Sequence, residues 1–97
     1  MATKNLVTAV ERNARGMVLR LSVGIADLDA RVWLARPAAQ SAFSIARRIR
    51  AGEQFQTLHD GELGPNLGVE SHDGIDLVVE IEENPPSGFQ LGDLPPC

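Results

Sequence analysis

Hydrophobic and polar positions alternate most cleanly near the C-terminal end, where Ile75, Leu77, Val79 and Ile81 stand at every second residue between Asp76, Val78, Glu80 and Glu82. A period of two is that of a strand with one buried face. Its partner is predicted over 67–71, and the loop length decides which side chains share a face. A two-residue loop of Asp73 and Gly74 would set Leu67 opposite Glu80 and Val69 opposite Val78, mixing apolar and acidic rows. A three-residue loop of His72, Asp73 and Gly74 pairs Ser71 with Ile75, Val69 with Leu77 and Leu67 with Val79. That register keeps the apolar row whole and is the one expected. It leaves Asp76, Val78, Glu80 and Glu82, joined by Glu70, on a solvent-exposed face.

Elsewhere the period is closer to that of a helix. Behind a Thr3 cap, Leu6, Val10 and Ala14 fall on one stripe with Val7 beside it, which predicts an amphipathic helix over 3–15. Between Gly16 and Arg36 two patterns compete. Leu19, Leu21, Val23 and Ile25 alternate as in a strand, while Val18, Leu21, Ile25, Leu28 and Val32 repeat at helical spacing. Gly16 and Gly24 weigh against the helix, so a hairpin over 17–36 is favoured. Pro37 then suits a helix's first turn. Over 38–51, Ala39, Ala42, Phe43, Ala46 and Ile49 form an apolar stripe, with Gly52 as the stop. The fold expected is therefore a small α+β domain: about four antiparallel strands in two hairpins, with two helices on one face. The alternative is one long helix over 3–36, a helix over 38–51 and a C-terminal hairpin. Either way residues 1–83 form a single domain, and 84–97, with Pro85, Pro86, Gly88, Pro95 and Pro96, an extended tail that Phe89 and Leu91 could dock.

Ninety-seven residues, 43% hydrophobic and 23% charged, suit one globular domain with a modest core. The single cysteine, Cys97, cannot pair within the chain, and residues 1–20 lack the pattern of a signal peptide, so a cytoplasmic location is expected.

The net charge of −4 hides a split. All nine basic side chains lie at or before Arg50, against three acidic ones there, a net of +6; ten carboxylates and no Lys or Arg follow, a net of −10. Such asymmetry bears on association rather than on fold.

The chemistry-bearing residues point away from catalysis. His59-Asp60-Gly61 and His72-Asp73-Gly74 form a repeat that could hold a metal, but Asp-Gly after a polar residue is ordinary turn chemistry. No serine sits in a nucleophile elbow, and the segment 61–68 has no phosphate-loop lysine. No catalytic residue, cofactor or metal is assigned. Arg47, Arg48 and Arg50 cluster at the end of the second predicted helix, where they complement the helix dipole and could also take phosphate or carboxylate. The expectation is a non-enzymatic protein-interaction module, such as a small inhibitor, regulator or assembly subunit, including the accessory proteins of phages and mobile elements. Its partner would be another protein or a second copy, met through Arg47, Arg48, Arg50, Glu70, Asp76, Val78, Glu80 and Glu82. The alternative is a nucleic-acid-binding regulator using the three arginines, set against a sequence pI near 5.0 and few aromatics for stacking.

Overall fold

The structure is a computed structural model and describes residues 3–81 and 91–97. Six strands and one helix follow in the order β1 (Thr3–Arg12), β2 (Val18–Asp27), β3 (Val32–Ser41), α1 (Ala42–Arg50), β4 (Phe55–His59), β5 (Glu62–His72) and β6 (Ile75–Glu80), and a 3₁₀ turn spans Leu91–Asp93. The strands form one sheet in the order β3-β2-β1-β4-β5-β6, with β4 parallel to β1 and the other pairings antiparallel. This overturns both expected folds: the four-stranded sheet with two helices on one face, and the long helix over 3–36. Among the described residues the sheet is six-stranded and mixed, and the one α-helix is short.

The predicted first helix is β1, and the reason lies at Thr8. The β1–β2 register slips between Val7 and Ala9, so Val7 and Val10 both face the core although three residues apart. A bulge has given a strand the spacing of a helix. Leu6, part of the supposed helical stripe, points to the opposite face of the sheet. In place of the helix end, the Asn13 side-chain oxygen accepts the N–H groups of Arg15 and Met17 at 2.9 and 3.0 Å, closing a turn that Gly16 completes at φ +80°.

The segment 38–51 divides between strand and helix. Pro37 lies in β3, an edge strand where a missing N–H costs nothing. Ser41 then caps α1, its Oγ accepting the Ser44 N–H at 3.1 Å. At the other end Gly52, at φ +102°, donates to the Ile49 carbonyl, and Glu53 to that of Arg48, the paired bonds of a Schellman stop.

The β5–β6 hairpin has a two-residue turn, not the three-residue loop that the apolar row predicts. His72 pairs with Ile75, Val69 with Val78 and Leu67 with Glu80. Asp73 and Gly74 sit at φ +50° and +80°, the doubly left-handed turn that matches strand twist and that Asp-Gly favours. As a result Val78 is in the core, only 5% exposed, and the apolar row of Ile75, Leu77 and Val79 lies on the other face.

The core lies between the sheet and α1. Val7, Val10, Leu21, Val23, Phe55, Leu67 and Val78 meet Ile45 and Ala46 of the helix. Full burial of a side chain such as Ile45 or Phe55 contributes about 1.5–3 kcal/mol. Thr57, also buried, donates its hydroxyl to the Pro65 carbonyl at 3.0 Å. Of the expected tail, residues 84–90, Phe89 among them, lie outside the described residues. Residues 91–97 pack onto the body, with Leu91 and Leu94 buried in the same core. Val10 donates to the Pro95 carbonyl at 3.0 Å and Cys97 to the Val10 carbonyl at 3.3 Å. This is a parallel bridge centred on Pro96, beside the length of β1 that β4 does not reach.

Candidate functional site

Of the charged residues read from the sequence as a partner surface, the fold joins Arg50 to Asp76 and gives Arg48, Glu70 and Glu80 partners outside that set. Arg50 extends from the end of α1 to β6, with Nε and Nη2 each 2.8 Å from a different oxygen of Asp76, and Nη2 also donates to Ser71 Oγ. The hydrogen bonds from Arg50, then that from Ser71, hold the Asp76 carboxyl below its usual range, and Asp76 in turn raises the guanidinium. Arg48 makes a similar fork to Glu53 at 2.8 and 2.9 Å, reaches the Gln40 amide oxygen and lies over the Phe55 ring. Glu53 is lowered and Arg48 raised, chiefly by that hydrogen-bonded pair. Arg47 lies over the exposed ring of Phe43 and touches no carboxylate among the described residues.

The acidic row of β6 faces the helix rather than solvent, which corrects the exposed face expected from the sequence. Such a face needs partners for its carboxylates, and it has them: Asp76 takes Arg50, and Glu80 accepts the backbone N–H of Leu91 at 2.9 Å. Val78 lies between them in the core. Glu70 is on the opposite face, 2.8 Å from His72 Nε2, and Glu82 lies outside the described residues. His59 is beside Asp60 at 3.4 Å. No group of three His, Cys, Asp or Glu among the described residues could hold a metal.

The feature that the charge pattern did not reveal is the second face of the sheet. α1 covers one side. The register places Lys4, Leu6, Ala26 and Trp33 on the other, with Leu58, Leu63, Gly68, Glu70, Leu77 and Val79. On this open face lies a cleft of about 430 Å³, walled by Leu6, Leu28, Val32, Trp33, Leu58 and Leu63. The loop between β2 and β3 closes one end of the cleft and the turn between β4 and β5 the other. Leu6 at the floor is only 2% exposed, whereas Val32, Trp33 and Leu63 remain substantially open. The volume is in the range of binding clefts, and apolar walls are their usual lining. Two charged side chains reach the cleft. Asp27 turns its Oδ1 to the N–H groups of Asp29 and Ala30 at 3.0 and 3.2 Å, while Arg31, at φ +55°, has no carboxylate partner among the described residues.

A sequence signal for this face existed in the apolar residues left over once the core was full. Leu28, Val32, Trp33 and Leu63 have no place under one nine-residue helix. No helix among the described residues is long and apolar enough to cross a membrane. Comparison of the chain with protein-family models, with curated proteins and with solved structures gives no match.

Proposed function

We propose that this chain is a non-enzymatic protein-interaction module, of the inhibitor, regulator or assembly-subunit kind, whose contact surface is the open face of its sheet. The observation that carries the reading is the apolar cleft on that face, with Leu6 at its floor and Val32, Trp33 and Leu63 exposed around it. Contiguous apolar surface of this kind marks contact sites on soluble proteins. The absence of an assigned catalytic group in the sequence supports binding over catalysis. Engagement of Arg48 and Arg50 with their own carboxylates favours protein contact over phosphate, which would have to displace Glu53 and Asp76. The same reading places the protein in the cytoplasm, with Cys97 as its one thiol.

The test is a pull-down from the native cell with three baits: the wild-type chain, Leu63→Glu on the open face and Arg47→Glu on the helix side. The expected result is a protein held by wild type and Arg47→Glu but lost with Leu63→Glu. Equal retention by all three, or retention by none, overturns the reading.

A further inference from the structure

The open face has two unlike apolar regions. It is hollow from Trp33 of β3 as far as Leu58 of β4 and Leu63 of β5, at the cleft with Leu6 on its floor. β6 lies outside the cleft and carries an apolar row: Ile75 is 56% exposed, and Leu77 and Val79, half-buried, continue it beside Gly68, where a Cβ would meet Ile81 at 3.2 Å. β2 and β5 both run antiparallel to β1, through β4 in the second case. The β2–β3 loop and the β5–β6 turn therefore lie at the same end of the sheet.

Charge follows the same division. By register or by position in the cleft, the β3 side carries Lys4 and Arg31, neither with a carboxylate partner among the described residues. Asp27, the acid beside them, is committed to its own loop. On the β6 side Glu70 stands out with His72, its side chain 58% exposed, and Asp73 caps the turn. Glu11 and Arg20, also on the open face, pair with each other at 3.0 Å.

We infer that the occupant of the open face is a second copy of this chain. This rests on the reading of that face as the contact surface. A two-fold axis along the strands, between two sheets packed face to face, lays the β5–β6 hairpin of each copy over the β2–β3 end of the other's cleft. Ile75 and Leu77 then meet the apolar walls, and Glu70 meets Lys4 and Arg31, twice per dimer. Such an interface is isologous and closes at two copies, with no free repeat of the same patch. Six strands at about 4.8 Å give a face about 25 Å across, and the ten-residue strands β1, β2 and β3 run about 30 Å, a flat area of roughly 750 Å² that is close to the ~800 Å² per partner of a standard interface.

Sedimentation velocity on the full chain over a concentration series tests the inference. Wild type should pass from the 10.4 kDa monomer to twice that mass. Arg31→Glu and Glu70→Lys should each weaken self-association by about ten-fold or more, since like charges then face each other twice. Mixed together, they should recover a dimer, because each supplies the charge the other needs. A wild-type chain that stays monomeric, single variants that dimerise as wild type does, or a mixture of folded variants that stays monomeric would each overturn it. Ile75→Glu reads the same interface should either charge variant fail to fold: monomer is expected, and an undiminished dimer overturns the inference. A monomeric wild type that still captures a host protein through Leu63 would remove the second copy and leave the interaction reading standing.

Discussion

Arg50 and Asp76 lie 26 residues apart, one ending α1 and one in the edge strand β6, and they meet through two parallel hydrogen bonds of 2.8 Å. The pair ties the helix end to the far side of the sheet. It also joins the last basic residue of the chain to its acidic half, so the charge split along the sequence is partly neutralised within the fold.

The pair sets an acid limit to stability. Asp76 and Glu53 have folded pKa values below those of free carboxyl groups because Arg50 and Arg48 hydrogen-bond the ionised forms. Their contribution is complete above the ordinary carboxyl values of about 3.9–4.3 and is lost as pH falls through the depressed folded values. Urea midpoints should therefore fall from about pH 5 to pH 2. Asp76→Asn should be less stable at neutral pH and show a shallower decline over the same range, since one titrating group is gone. An unchanged slope counts against the role given to this carboxylate.

Gly24 is required by its neighbours rather than by its backbone angles. A Cβ there would lie 2.7 Å from Trp33 Cζ3, 2.8 Å from the Ala35 carbonyl oxygen and 2.9 Å from the Pro37 nitrogen. Two of these are backbone atoms that cannot turn aside. Gly24→Ala should cost about 1–3 kcal/mol, as overpacking does, and lower Tm by about 4–8 °C for each kcal/mol. Displacement of the indole should change Trp33 fluorescence in the folded state, a signal that general destabilisation would not produce.

The β5–β6 turn makes a third test, because it separates the two registers that the sequence allowed. Asp73 and Gly74 both have positive φ in the two-residue turn. Gly74→Ala should destabilise by about 1 kcal/mol or somewhat more, since alanine is strained there. Asp73→Gly should be tolerated nearly in full. Under a three-residue loop only one residue would need the left-handed region, so equal sensitivity to β-branched residues at positions 73 and 74 is the mark of the observed turn. Thermal melts of Asp73→Val and Gly74→Val read it directly.

That hairpin also shows what could be read in advance and what could not. Strand periodicity was visible at Leu21, Val23, Ile75 and Leu77, and the Gly52 stop and the basic end of the helix at Arg47, Arg48 and Arg50 were legible because capping is local chemistry. The bulge at Thr8 was not, because one inserted residue turns strand spacing into helical spacing. Nor was the choice of face on β6. The rule that the apolar row goes inside assumes unpaired carboxylates, and Arg50 and the Leu91 N–H remove that assumption for Asp76 and Glu80. The cleft was hidden for a similar reason: its walls come from five strands and two loops, and no short window of sequence holds more than a part of it.

The C-terminal segment should behave as core, not as an appendage. Leu91 and Leu94 are buried against Val10 and α1, and two backbone hydrogen bonds run along β1 at Val10. Burial of two leucines contributes about 1.5–3 kcal/mol each, and the hydrogen bonds add about 0.5–1.5 kcal/mol each. Together these are comparable with the whole stability of an ordinary domain, about 5–15 kcal/mol. Deletion of residues 91–97 should therefore leave a chain that is largely unfolded at 25 °C, or folded without a cooperative urea transition. Leu94→Ala, which keeps the backbone bridge, should fold with a loss of about 2–5 kcal/mol. Cys97→Ser should be close to neutral, because the Sγ contact with the Arg20 carbonyl is long, at 3.9 Å, and the Cys97 N–H that donates to Val10 is retained. Far-ultraviolet circular dichroism with urea titration separates the three, and a truncated chain that unfolds cooperatively at the wild-type midpoint would show that the segment only rests on the surface.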